Sequence, residues 1–121
     1  MKILNLTQHP ATPDQIAAGV IEPTDKKEVQ TLLTFVGYGS TGQVSQLDRA
    51  KRLAMICQEN DCQTAMIGGA LFFMPPLERW LKQWGIKVLY SFTERVAVEI
   101  PDGHGDVQKT SVFRHVGWVE A

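Results

Sequence analysis

The spacing of apolar residues at the start of the chain predicts a strand followed by a short helix. The run KILNL at residues 2–6 is brief and apolar, as expected of a buried strand. In TPDQIAAG, residues 12–19, Thr12 stands three residues before Gln15 in the form of a capping box, a proline occupies the first helical position, and Gly19 suits the helix end. The intervening TQHPA is therefore the loop that joins the strand to the helix.

Helical spacing predicts three further helices. One covers residues 25–33 with Thr24 as its cap, and another covers residues 44–59, where the charged cluster DRAKR is expected to face solvent. The third lies within PPLERWLKQWG, residues 75–85, whose leucines and tryptophans fall at i, i+3, i+4 and i+7. Each of these helices presents one apolar stripe for burial.

Two more strands and a hairpin complete the pattern. TAMIGG, residues 64–69, and KVLYSF, residues 87–92, are typical of interior strands. The alternating runs RVAVEI and KTSVFRHVGWV flank PDGHGD, which is a hairpin signal. The order predicts a single α/β domain over residues 1–121, with a three-layer Rossmann-like sheet whose parallel core is extended by a C-terminal antiparallel hairpin.

Composition and charge agree with a folded domain and exclude two classes of partner, duplex nucleic acid and membranes. The chain has 121 residues, of which 44% are hydrophobic and 21% charged, so it has enough apolar surface for one core. Its formal net charge of −1 supplies no basic field, so we expect no binding to duplex nucleic acid. The longest apolar run is broken by glycines and prolines and is shorter than a membrane span.

The cysteines and the N-terminus suggest a cytoplasmic location. Cys57 and Cys62 are the two cysteines of the chain, and buried reduced thiols are favoured over a disulfide. The apolar stretch at the N-terminus is too short for a signal peptide. We therefore expect a cytoplasmic protein with no membrane association.

Three loops are predicted to meet at one rim of the sheet. They are TQHP after the first strand, GGALFFMPP after the second and SFTER after the third. In open parallel sheets, ligands bind outside the carboxyl ends of the strands. A ligand site is therefore expected where these loops converge.

The first loop supplies the candidate catalytic group. His9 can exchange a proton near neutral pH, and Thr7 and Gln8 place further donors and acceptors beside it. The alternative is a turn histidine that hydrogen-bonds only to nearby backbone. We keep His9 as the catalytic candidate, with Thr7 and Gln8 as binding residues.

The second loop supplies a candidate phosphate-facing backbone. Gly68 and Gly69 have no side chains to block a ligand, and amides near the next helix start could face an anion. The alternative is that the pair serves only strand–helix packing. The following LFFMPP is either core or a subunit contact.

Charged residues further along are weaker candidates. Glu94 and Arg95 are assigned to ligand binding, with a strand-start ion pair as the alternative. Arg114 and His115 fit a solvated strand face, and the role of this C-terminal hairpin stays open. The sequence has neither metal-ligand spacing nor a nucleophile elbow, so we expect no metal, no cofactor and no covalent nucleophile.

The stretches ILNLTQHPAT and AMIGG, with the order of elements, resemble small stand-alone proteins related to CRISPR-associated Rossmann-fold (CARF) domains, including ring nucleases that open cyclic oligoadenylates. The resemblance covers about the first 95 residues of the chain. It implies a homodimer whose ligand cavity is formed by strand ends of both subunits. It also implies metal-independent cleavage, in which a ribose 2′-hydroxyl attacks its adjacent phosphate, His9 protonates the departing 5′-oxygen and Arg95 contacts the anion. The C-terminal hairpin departs from this family pattern.

Three functions therefore follow from the sequence. The first is a small nucleotide-binding protein that acts as a phosphodiesterase, or ribonuclease, on a cyclic or short oligonucleotide. The second is a non-catalytic nucleotide or small-metabolite binding module in the same crevice. The third is a structural or interaction protein that dimerises through LFFMPP and the helix that carries Trp80 and Trp84.

Overall fold

One mixed five-stranded sheet organises the fold. The structure, a computed structural model, describes residues 2–34, 43–101, 103, 105 and 107–121, and describes side chains for residues 2–34, 46–92, 103, 105 and 116–121. The elements in chain order are β1 (Ile3–Leu6), α1 (Pro13–Ala17), β2 (Val20–Ile21), α2 (Lys26–Thr34), α3 (Gln43–Glu59), β3 (Thr64–Ile67), α4 (Met74–Gln83), β4 (Lys87–Pro101) and β5 (Val107–Glu120).

The strand order is β2-β1-β3-β4-β5, and the first three pairings are parallel. Leu6 pairs with Ile67, and Ile67 pairs with Tyr90, so three strands are in register at one rim. β4 and β5 form the antiparallel hairpin. The predicted α/β class, a parallel core extended by a C-terminal hairpin, is confirmed. β2 was not predicted, because its two residues are too few to show an alternating pattern.

The predicted end of the third strand was wrong. β4 is one strand of 15 residues that runs through SFTER without a loop. A register shift between Phe92 and Thr93 marks an irregularity in the hairpin, and the strand then continues. β3 pairs only with residues 87–90 of β4, so the rest of the hairpin extends past the rim as a two-stranded ribbon. Of the three predicted loops, two therefore leave their strands at this rim.

The two faces of the sheet carry cores of unequal size. On one face, Leu4, Ala65 and Val88 belong to a large buried cluster with apolar residues of α2, α3 and α4. Their chain neighbours point to the opposite face, where Ile3 and Met66 belong to a smaller cluster. Most of the apolar burial therefore lies under the three longer helices.

The N-caps of α1 and α2 show how well the local sequence predicts where a helix begins. Thr12 accepts from the Gln15 amide and the Gln15 side chain accepts from the Thr12 amide, which confirms the capping box of α1. The cap predicted for α2 was wrong by one residue: the Asp25 carboxylate accepts from the Glu28 amide at 3.0 Å, whereas Thr24 donates to Asn60. Asp is preferred over Thr at helix N-caps, so the local preference agrees with the observed cap.

The charged face of α3 is only partly solvated. Asp48 and Lys51 are exposed as predicted, but Arg52 forms ion pairs with Glu28 of α2 and with Glu59. This cluster therefore also links α2 to α3.

Within the described part of the chain, no helix is both long and apolar enough to cross a membrane.

Candidate functional site

A cavity of about 630 Å³ opens at the carboxyl ends of β1 and β3. Its walls include the β1 loop at residues 7–10, the end of β3 and its glycines at residues 66–69, and Met74 at the start of α4. Tyr90 and Ser91 of β4 line a further side. The volume lies within the range of small-molecule sites.

The structure brings five of the predicted site residues to this cavity: Thr7, Gln8, His9, Gly68 and Gly69. Gln8 and His9 are exposed, so the imidazole is open to solvent. Glu94 and Arg95 lie in the hairpin, where their backbones pair with Arg114 and Phe113. The side chains of Glu94, Arg95, Arg114 and His115, like residue 104, lie outside the described residues.

Asn5 fixes the conformation of the loop that carries His9. Its side chain is buried at the end of β1, with the residue 2% exposed. The Asn5 amide nitrogen donates to the His9 carbonyl oxygen at 2.8 Å, and its amide oxygen accepts from the Thr7 backbone nitrogen at 3.0 Å. The Thr7 hydroxyl lies 2.6 Å from the same Asn5 oxygen and donates to it. The loop is therefore tied to the strand that precedes it.

Glu22, the residue that follows β2, extends this network. The Asn5 amide nitrogen lies 3.1 and 3.2 Å from the two Glu22 carboxylate oxygens, and the Ala11 backbone nitrogen donates to the first of them at 2.8 Å. Asn5 and Glu22 were not among the predicted site residues. One signal was available for Asn5, because a polar residue inside the apolar run ILNL requires partners once it is buried.

The two glycines of the second loop have different requirements. Gly69 has a φ of +150°, a conformation that side-chain-bearing residues rarely adopt. A Cβ added to Gly68 would lie 3.5 Å from the Thr7 methyl, which is an ordinary contact. Gly69 is therefore needed by the backbone, whereas Gly68 keeps the cavity wall open beside Thr7.

The start of α4 offers few amides to an anion. Met74 is followed by two prolines, which have no N–H, and the Phe73 nitrogen is bonded to the Ala70 carbonyl at 3.0 Å. The start of α4 therefore has fewer backbone N–H groups to face an anion than the sequence predicted. Within LFFMPP, Phe73 and Met74 are buried in the core while Leu71 and Phe72 are exposed, and a subunit contact of this segment stays a prediction.

Tyr90 joins the cavity to an ion pair on α4. Its hydroxyl donates to Glu78 at 3.0 Å, and Lys82 donates to the other Glu78 oxygen at 3.0 Å. Desolvation, together with the bond to Glu78, raises the pKa of Tyr90 to about 12. The Lys82 ammonium lowers the pKa of Glu78, with a smaller contribution from the Tyr90 hydrogen bond. Tyr90 is therefore a neutral donor at physiological pH.

Tyr90→Phe should remove one alkaline phase of unfolding. The unfolded phenol ionises near pH 10 whereas the folded one keeps its proton to about pH 12, so the folded state binds more protons in this window. The free energy of unfolding of the wild type should then fall between pH 10 and 12 more steeply than that of the variant. Urea titrations of both proteins across this range measure the difference, and identical slopes would contradict the assignment.

The cysteines lie away from this chemistry. Cys57 and Cys62 are free and buried, as predicted. Burial, reinforced by the neighbouring Cys62, raises the pKa of Cys57 to about 12, and burial also raises the pKa of Cys62. Neither thiol is poised as a nucleophile.

The ionisable groups that line the cavity in the described part of the chain are His9 and Tyr90. Among the described residues, no three His, Cys, Asp or Glu side chains cluster closely enough to hold a metal ion. The cavity therefore combines one exposed imidazole, hydroxyl and amide groups, and an apolar wall. Such a set can bind a ligand with an apolar ring and a polar group, and can transfer one proton.

Comparison with known proteins places the chain in a family. No curated protein matches the sequence. No solved structure matches it either. Residues 1–119 match the model of the family described as "Uncharacterized protein MJ1673 family", and the chain therefore belongs to that family.

Proposed function

We propose that the rim cavity binds a small nucleotide or a cyclic oligonucleotide. The observation that carries this proposal is the cavity of about 630 Å³ at the carboxyl ends of the parallel strands, lined by a polar loop on one side and apolar residues on another. Ligands of open α/β sheets occupy this position. A base or sugar would pack against apolar lining residues such as Leu71 and Met74, and a phosphate would lie beside Thr7 and Gly68.

Phosphodiester cleavage is the reaction that the position of His9 favours. In a ribonucleotide diester, the 2′-hydroxyl oxygen attacks the adjacent phosphorus, the bond to the 5′-oxygen breaks, and a 2′,3′-cyclic phosphate and a 5′-hydroxyl form. The 2′-hydroxyl proton passes to solvent, and the His9 imidazolium donates a proton to the departing 5′-oxygen. Its exposure on the cavity wall supports this role. The resemblance to ring nucleases points to the same chemistry.

A panel of mononucleotides, dinucleotides and cyclic oligonucleotides tests binding by calorimetry and thermal shift. A bound ligand at about 100 times its Kd should raise the free energy of unfolding by about 2.7 kcal/mol. Gly68→Leu places a side chain in the cavity and should weaken binding about tenfold or more, which is 1.4 kcal/mol or more. Lys51→Leu, on the exposed face of α3, is the control.

The outcomes separate the three functions. Binding with product formation supports the phosphodiesterase, and binding without product supports the non-catalytic module. If no member of the panel binds, the nucleotide proposal is wrong and the interaction protein is favoured. We also place the protein in the cytoplasm, where its two buried free thiols would stay reduced.

We further propose a homodimer through exposed apolar residues, of which Leu71 also lines the cavity. Leu71, Phe72, Phe92 and Val119 are large apolar residues that are more than half exposed, with Leu71 at 87%. Exposed apolar surface of this kind favours a protein partner. Phe92→Asp should convert a dimer to a monomer in sedimentation velocity, whereas Lys51→Asp on α3 should leave its mass unchanged. A wild type that sediments as a monomer would contradict the proposal.

A further inference from the structure

The loop that carries His9 is held by two side chains that line a different cavity. A second cavity, of about 260 Å³, lies on the other side of the loop, with Thr7, His9 and Pro10 in the walls of both. Asn5 and Glu22 line this second cavity and are absent from the described lining of the larger one. They therefore contact the back of the loop rather than the space that the proposed ligand would fill.

The chemistry of Glu22 dictates how the Asn5 amide is oriented. An ionised carboxylate only accepts hydrogen bonds, so the Asn5 group that faces its two oxygens must be the NH₂. The Asn5 oxygen then faces the Thr7 nitrogen and hydroxyl, both of which can donate. The same NH₂ also donates to the His9 carbonyl. Reversing the amide would place oxygen against carboxylate and nitrogen against the Thr7 N–H.

Glu22 also holds the far end of the loop directly, through the Ala11 nitrogen at 2.8 Å. The loop is thus fixed at Thr7, at the His9 carbonyl and at Ala11. Hydrogen bonds to a charged group are stronger than neutral ones. Because the Glu22 carboxylate also orients the Asn5 amide, it stabilises the bonds of that amide to Thr7 and His9. Loss of Glu22 removes the reason for the amide orientation as well as the bond to Ala11.

We infer that Asn5 and Glu22 are positioning residues that set the place of His9 before any ligand binds. The inference deepens the proposed function and rests on it for the catalytic consequence. Proton transfer requires the imidazole within hydrogen-bond reach of the leaving oxygen, and a misplacement of about 1 Å can lower turnover about 100-fold. The pair acts on turnover through the loop, without touching the ligand.

Glu22→Ala and Glu22→Gln test the inference without a ligand. Amide hydrogen exchange at Ala11 should become about tenfold faster or more in Glu22→Ala, because a charge-assisted bond is lost. Glu22→Gln keeps a carbonyl oxygen for the Ala11 nitrogen and should restore most of the protection. The NMR signals of the His9 ring, assigned with His9→Ala, should move toward random-coil values in Glu22→Ala only. Asp48→Ala, an exposed carboxylate on α3, is the control.

With a cleaved substrate, Glu22→Ala should lower kcat about 100-fold with KM changed little, and Glu22→Gln should recover part of kcat. Unchanged exchange and unchanged His9 signals in Glu22→Ala would overturn the inference, whatever the ligand. Altered exchange with unchanged kcat would also overturn it, since the pair would then be merely structural. Absence of nucleotide binding by the wild type would refute the proposed function alone, because the exchange and NMR results do not depend on it.

Discussion

His9→Ala should lower the turnover of a phosphodiester substrate by about 10²–10⁴-fold, the usual contribution of a positioned acid–base group. Substrate affinity should change little, because the imidazole is expected to act on the leaving oxygen after binding. The loop itself should survive the substitution. The Asn5 amide bonds to the carbonyl oxygen of residue 9, a backbone group that alanine also supplies.

His104→Ala, which removes another histidine of the chain, is the matched control for this experiment. Single-turnover rates and Kd values for the three proteins distinguish a catalytic loss from a binding loss. A His9→Ala protein with wild-type turnover would exclude the proposed acid. Equal losses of turnover and affinity would instead assign His9 to ligand binding.

Leu81→Ala should lower the free energy of unfolding by about 2–5 kcal/mol. Leu81 is fully buried on α4, within the large cluster between the sheet and the longer helices. Removing its methyl groups loses their transfer free energy and leaves a void that close-packed neighbours fill only partly. This is a large share of the 5–15 kcal/mol typical of a domain.

Met55→Ala is the control, because Met55 lies on α3 with 38% of its surface exposed and should cost about 1 kcal/mol or less. Urea unfolding of the three proteins measures both changes. Leu81→Ala should still bind ligand below its unfolding transition, since Met74 at the other end of α4 is the α4 residue in the described lining of the cavity. A loss equal to that of Met55→Ala would show that α4 contributes little to the core.

The site was predictable wherever a short stretch carried its own physical signal. The loop of Thr7 and His9 follows an apolar strand, and Gly68 and Gly69 follow another, so the rule for parallel strands placed both at one rim. The prediction of a third loop at residues 91–95 was wrong. SFTER has the polar composition of a loop, but pairing of β4 with β5 continues the strand through it.

Asn5 and Glu22 illustrate a second limit. They are 17 residues apart, so the bond between them leaves no local signal in the sequence, although Asn5 also bonds to the nearby residues 7 and 9. Tyr90 and Glu78 meet only because β4 lies beneath α4, at a sequence separation of 12 residues. Side chains whose function depends on such pairs give no periodic or spacing signal in the sequence.

The sequence by itself determined the α/β class, the helices, the capping box at Thr12 and the two loops that reach the cavity, because each depends on residues within one turn or one strand. Only the tertiary structure decided the length of β4, the presence of β2 and the network of Asn5 and Glu22 behind His9. Strand pairing and buried hydrogen bonds are formed between distant parts of the chain, and their free energy exists only once those parts have been brought together.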